Sequence, residues 1–262
     1  MHGTPTGPLW CAQRINRASH KLHHIRSGYR MKGFHHLHRW DVGYHEAVAL
    51  QNRLKDRLIL TDTDDPETIT LIAGADISYA RGSRLFFAAV VVLEFPSLAP
   101  IEVSSHISEV NFPYIPGLLS FRECPPLLAA FEKLACTPDV VLFDGHGIAH
   151  PRGIGLASHM GLILGCPAIG CAKTRLFGTH GDVPATPGDY APLMNDHAVI
   201  GAVLRTKKNV KPVFVSIGHR IGLSRSVNIV MKSCRGYRLP EPTRQAHCTV
   251  NKLRRDYYGG VL

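Results

Sequence analysis

The chain has 262 residues, enough to bury a sizeable core in one large domain or two small ones without cross-links. Hydrophobic residues make up 45% and charged ones 19%, and no apolar run approaches the ~20 residues that a bilayer crossing needs, so a membrane partner is excluded from the expectation. The formal charge of +10 is uneven: residues 1–40 hold seven Lys or Arg, no Asp or Glu and seven of the sixteen histidines, so the total alone does not argue for nucleic acid.

Residues 1–40 read as a basic, His-rich extension without ordered structure. They lack the continuous apolar segment of a secretory leader. Their composition fits an organelle-targeting peptide loosely, and fits better either a phosphate-attracting arm or a chain whose true start is Met31. Residues 41–262 carry no repeat and no low-complexity linker, and are expected to form one domain.

Within it, "AVALQNRLKDRLIL" predicts a helix with Val48, Leu50, Leu54, Leu58 and Leu60 near one face. "TDTDDPET" ends it. Three strands follow, "TITLIAGADISYA", "LFFAAVVVLEF" and "IEVSSHISEV". Connections as short as "RGSR" and "PSLAP" predict antiparallel hairpins.

Beyond residue 120 the pattern alternates. "FRECPPLLAAFEKLA" predicts a helix with prolines near its start. "DVVLFDG" has the continuous apolar look of a buried parallel strand. "GIGLASHMGLILG" is helical and "PAIGCAKT" a strand. "AVIGAVLRT" and "PVFVSIGHR" are two more strands. "SRSVNIVMKSC" starts on a candidate Ser cap, and "PEPTRQAHCTVNKLRRD" closes the chain as a helix with Pro in its first turn. The expected fold is α/β: a mixed sheet, antiparallel meander then parallel strands, flanked by helices.

Seven cysteines at 11, 124, 136, 166, 171, 234 and 248 form no C-x-x-C, and an odd count fits a reduced, cytoplasmic chain. Zinc is disfavoured by that scatter. His146 and His150 have i, i+4 spacing but straddle Gly147 after a strand, which weakens them as a metal pair. No phosphate-cradling glycine motif, H-E-x-x-H or nucleophile elbow occurs.

The chemistry lies in carboxylates at unusual places. Asp76 interrupts the apolar run "LIAGADISYA", and burying an ionised carboxylate costs several kcal/mol unless cations or donors meet it. Its plainer role is a strand-end turn cap. Asp144 ends "VVLFDG" at the carboxyl edge of a parallel strand, where open α/β sheets place ligands, although Asp-Gly is also a common turn. Glu123 adjoins the apolar loop "PYIPGLLS", or simply favours a helix N-terminus. Together the three make an oxygen-rich site suited to Mg²⁺, with Mn²⁺ able to substitute. Lys173, His146, His150, Arg152, Arg244 and His247 supply cationic or polar neighbours.

In this order the motifs "GADISY", "FPYIPGLLSFRE", "DGHGIAHPRGIGLASHMG", "CAKTRLFG", "VSIGHRIGLSRSVNIV" and "RLPEPTRQAH" resemble the endonuclease V family, deoxyinosine 3′-endonucleases with a ribonuclease H-like fold. The resemblance spans nearly all of residues 45–256. It implies that Asp76, Glu123 and Asp144 hold the divalent metal, that His247 joins or adjoins them, and that Lys173 faces the phosphate. It further implies that His150 lies on the lesion side and that Tyr114, Ile115 and Pro116 belong to a strand-separating wedge.

An apolar, proline-stiffened wedge can replace the stacking lost when a base leaves a helix, and Gly117 and Leu118 extend that lesion-facing segment. The implied reaction is hydrolysis of a phosphodiester on the 3′ side of deoxyinosine in DNA, leaving 3′-hydroxyl and 5′-phosphate ends. The implied partner is inosine-containing nucleic acid, DNA before RNA, bound by a monomer. The alternatives are an inosine-specific endoribonuclease and a non-catalytic nucleic-acid-binding module.

Overall fold

The computed structural model describes residues 33–63 and 69–259. The expectations for residues 1–32, including a start at Met31, lie outside the described residues.

The alternating and continuous apolar runs form one eight-stranded sheet. Its strands are β1 (Leu71–Tyr79), β2 (Leu85–Glu94), β3 (Pro100–Glu109), β4 (Val140–Phe143), β5 (Ala168–Ala172), β6 (Tyr190–Asn195), β7 (Ala198–Leu204) and β8 (Val213–His219), in spatial order β3-β2-β1-β4-β5-β8-β7-β6. β1, β2 and β3 form the expected antiparallel meander, and β4 and β5 run parallel to β1. The later strands depart from the expectation: β8, β7 and β6 are antiparallel. β6 has no counterpart in the sequence reading, because Pro192 broke its pattern. An edge strand is where a sheet tolerates a residue without an N–H.

Among the described residues five helices occur, α1 (Tyr44–Leu54), α2 (Leu119–Phe131), α3 (Leu156–Leu164), α4 (Leu223–Lys232) and α5 (Glu241–Gly259), the last four lying on the sheet and α1 on the start of α2. Successive strand side chains point to opposite faces, and the two cores follow that alternation. On one face Ile72, Leu142, Ile169 and Val215 pack with Val227 and Val230 of α4 and Ala246 of α5. On the other Ala73, Ala75, Val90 and Phe143 pack with Leu127 and Phe131 of α2 and Met160 of α3. None of the described helices is long and apolar enough to cross a membrane.

Three local expectations are corrected. α1 buries Ala47, Leu50, Gln51 and Leu54 rather than the face through Val48 and Leu60, since the helix stops at Leu54 and Leu60 lies beyond it, exposed. Pro125 and Pro126 sit inside α2, which begins at Leu119 rather than 121. α4 is preceded by Gly222 without a side-chain cap, its N–H instead donating to Asp62 Oδ1 at 2.9 Å.

Residues 33–40, on the extension side of the expected boundary, lie against the body of the fold. His35 N donates to Ile163 O at 2.9 Å, and Phe34 and Trp40 pack on the α2–α3 side.

Candidate active site

The parallel strands β1, β4 and β5 bring their carboxyl ends together, and the register does the rest. Ala75 is level with Phe143, so the next residues, Asp76 and Asp144, are neighbours across the pair. Asp144 N donates to Ala75 O at 3.3 Å. Alternation puts Asp76 on the face of Ile72 and Gly74, under α5. A Cβ on Gly74 would lie 2.0 Å from the backbone of Pro242, so only glycine admits α5 this close to β1. That approach carries His247 over Asp76. Asp76, Asp144 and His247 each offer a ligand atom, and the three atoms lie within 4.8 Å of one another; among the described residues no other such group occurs.

Hydrogen bonds fix the orientation of each member. His247 Nδ1–H donates to Asp76 Oδ2 at 2.7 Å, and Ile77 N donates to Asp76 Oδ1 at 2.8 Å. Asn251 Nδ2 lies 3.2 Å from His247 Nε2 and donates to it, while Ser78 Oγ donates to Asn251 Oδ1 at 2.9 Å. Lys173 Nζ donates to Asp144 Oδ2. Arg238 Nη2 in turn donates to Lys173 O, fixing the backbone from which that lysine extends.

Glu123 stands outside the compact group, because it comes from α2 on the other face of the sheet. It is buried, and its carboxyl is pushed up to about 8 by burial first, then by the charges of Asp76 and Asp144, with Arg122 opposing. Burial and Asp76 likewise raise Asp144, against Lys173. Such mutual repulsion is what a dication relieves. Two carboxylates, an imidazole and a third carboxylate behind them form a donor set of the hard, oxygen-rich kind, so the residues fit Mg²⁺ or Mn²⁺.

The apolar loop before α2 is displayed on one side and anchored on the other. Tyr114 is 65% exposed and Pro116 is exposed, while Ile115 is half-buried. Leu118, expected on the lesion-facing side, is fully buried with Ala47, Leu50 and Phe121 and therefore holds the loop down. Gly117 has φ +79°, and its carbonyl accepts from Gln51 Nε2 at 2.9 Å, Arg152 Nη2 at 2.6 Å and His150 Nε2 at 3.0 Å. Its missing side chain makes room for the protein's own Arg152: a Cβ would lie 2.5 Å from that guanidinium.

His150 donates through Nε2–H and accepts from Arg152 N at Nδ1, 3.1 Å, so it is held as the neutral ring. Burial, then Arg152's charge, drives it down to about 4. His146 instead donates to Thr174 O at 2.9 Å, so the two histidines do not form a metal pair. Arg244 is taken up by Glu241 through two bonds of 2.7 Å.

Sequence reasoning missed Gln51, Asn251 and Arg238. Gln51 lies three residues from Val48 and Leu54 on the predicted apolar stripe, is 1% exposed, and ties α1 to Gly117 and Arg152. A glutamine on the leucine-bearing stripe was the available signal.

The family described as endonuclease V matches residues 52–248. An endonuclease V of Myxococcus xanthus is 50% identical over 217 residues, covering 83% of this chain and 92% of its own. The crystal structure of endonuclease V from Streptomyces avermitilis is similar at 39% identity and a TM-score of 0.79, over 84% of this chain and 96% of that one. A Ciona intestinalis endonuclease V, solved with a 23mer DNA containing an inosine followed by a ribo-adenosine, is similar at 26% identity and a TM-score of 0.72, over 81% and 97%.

Proposed function

The chain belongs to the endonuclease V family, and from that premise we propose that it is a Mg²⁺-dependent endonuclease that hydrolyses a phosphodiester on the 3′ side of deoxyinosine in DNA, leaving 3′-hydroxyl and 5′-phosphate ends. The observation that carries the reading is the convergence of Asp76, Asp144 and His247 within 4.8 Å, with Lys173 on Asp144.

Asp76 and Asp144 would hold the metal, with His247 beside them and Glu123 behind them on α2. When bound, the dication supplies Lewis-acid charge stabilisation at phosphate and lowers the pKa of a water. Lys173 then offers its ammonium to the non-bridging oxygens, where negative charge grows as the bond breaks. His247, held on Asp76 through Nδ1, would stand beside the dication.

Recognition belongs to the loop. Tyr114, Ile115 and Pro116 enter beside the altered base and replace its stacking. His150, Gln51 and Arg152, all bonded to Gly117, hold the loop for that contact. The chain acts on its own, without a membrane.

The test uses an end-labelled strand with one deoxyinosine, with Mg²⁺ and with chelator, and its RNA counterpart. A single metal-dependent nick 3′ to the inosine, faster on DNA, is expected. Asp144→Ala turning over like the parent would sink the metal-cluster account.

A further inference from the structure

Between the β1–β2 hairpin and the apolar loop runs a groove of ≈ 700 Å³, within the ~300–1,000 Å³ span of ligand sites. Its walls carry Tyr79, Arg81, Arg84, Phe112, Tyr114 and Arg122, and none of its lining residues is acidic. Arg122 joins it to the metal site through its chain neighbour Glu123.

Arg122 forms the floor. Its guanidinium lies 4.9 Å from the Phe86 ring centroid, 5.3 Å from Tyr79 and 5.8 Å from Tyr114. Its Nε is buried without a hydrogen-bond partner. The rim is exposed arginine: Arg84 donates to Asn111 Oδ1, and Arg81 has no hydrogen-bond or ion-pair partner among the described residues. The hairpin is braced from behind. Arg254 Nη1 donates to Tyr79 O at 2.7 Å, and Ser83 Oγ and Tyr258 Oη are 3.4 Å apart.

An exposed aromatic face beside exposed arginines, one of them without a partner among the described residues, is the making of a single-strand nucleic-acid seat. Every base has a face that stacks, and the arginines meet the backbone. A duplex would hide those faces, and an acidic peptide would leave the rings unused.

We propose that this groove is a second nucleic-acid site, seating an unpaired stretch of the substrate strand next to the lesion. A base stacks on the exposed ring of Tyr114, and Arg81 and Arg84 bind phosphates. The proposal rests on the nuclease reading and extends it beyond the metal centre.

The experiment is fluorescence anisotropy with a labelled, inosine-free single-stranded oligonucleotide in chelator, across a salt series. Arg81→Ala should weaken binding and make the slope of log K against log salt shallower by about 0.7, and Arg81→Ala/Arg84→Ala by about twice that. Arg81→Lys/Arg84→Lys should keep the parent slope. An abasic strand of equal length should bind about fivefold or more weakly per base stacked.

With inosine substrates, Arg81→Ala should raise KM where the flank reaches the groove and leave kcat unchanged. Parent-like affinity and slope in Arg81→Ala, a residue with no internal bond to lose, would overturn the proposal, and equal binding of the abasic strand would overturn the stacking. Failure of the nuclease reading shows elsewhere, as a parent protein that leaves inosine strands uncut.

Discussion

His247 Nδ1 lies 2.7 Å from Asp76 Oδ2, although 171 positions separate them in the chain. The ring is held from behind by Asn251, one helical turn on, whose amide donates to Nε2 and to His247 O. Asn251→Ala should lower metal-supported cleavage by about 10–100-fold, the usual cost of losing a partner that orients a ligand. Binding of an inosine strand without metal should be unchanged. A parent-like rate in Asn251→Ala would mean that the ring needs no such support.

Lys173 pairs with Asp144 and follows directly on β5, in the bend after Ala172. Lys173→Ala should reduce kcat by about 10²–10³-fold, as for loss of one charge-stabilising donor, while KM moves little. Single-turnover kinetics at saturating metal separates the two. A change confined to KM would assign Lys173 to ground-state binding.

Gly117→Ala meets two obstacles. An L-residue at φ +79° costs about 1–2 kcal/mol, and the new Cβ would press on Arg152. The loss should appear both in the urea midpoint and as weaker discrimination between inosine- and guanine-containing strands. Leu118→Ala, an anchor change, should cost about 2–5 kcal/mol of stability. If Gly117→Ala kept full discrimination, the three-donor contact would not be setting the loop.

Acid should destabilise the fold through buried histidines. His159 is driven down to about 3 by burial and then by His38, and His150 and His219 to about 4, burial being the largest cause in each. All three are neutral in the fold, whereas in the unfolded chain they take up protons near 6.5. Their contribution to stability is therefore flat above about pH 6.5 and falls as pH drops towards 3, opposite in sign to that of Glu123, whose raised carboxyl favours the fold at lower pH. Around His159 the neutral tautomers form a chain: Ser120 Oγ donates to its Nδ1 at 3.0 Å, and its Nε2–H donates to His38 Nε2 at 2.7 Å. Urea midpoints between pH 8 and 4 test this, and His159→Phe should flatten the acid limb. An unchanged slope in that variant would place the titration elsewhere.

Much of this was legible in residue pattern alone. The meander announced itself through three strand-like runs joined by short turns. Asp76 and Asp144 were visible because a carboxylate within or at the end of an apolar strand needs a reason. What could not be read were contacts made across layers. Asn251 looks like an ordinary helix-surface amide until α5 is laid on β1, and the partners of Gln51 appear only once α1 is laid on the loop. Glu123 was grouped with the two aspartates, yet its helix covers the opposite face, so it stands behind them. Leu60 looked like part of a helical stripe that had already ended at Leu54.

Asp76, Asp144 and Lys173 grow from the three innermost parallel strands, each flanked by partners on both sides. Their mutual spacing is thus as stiff as the sheet itself, and it exists before any substrate arrives. The adjustment at encounter must come from the nucleic acid, so a backbone already loosened by a poorly pairing base is the one that can reach these groups at the lowest cost.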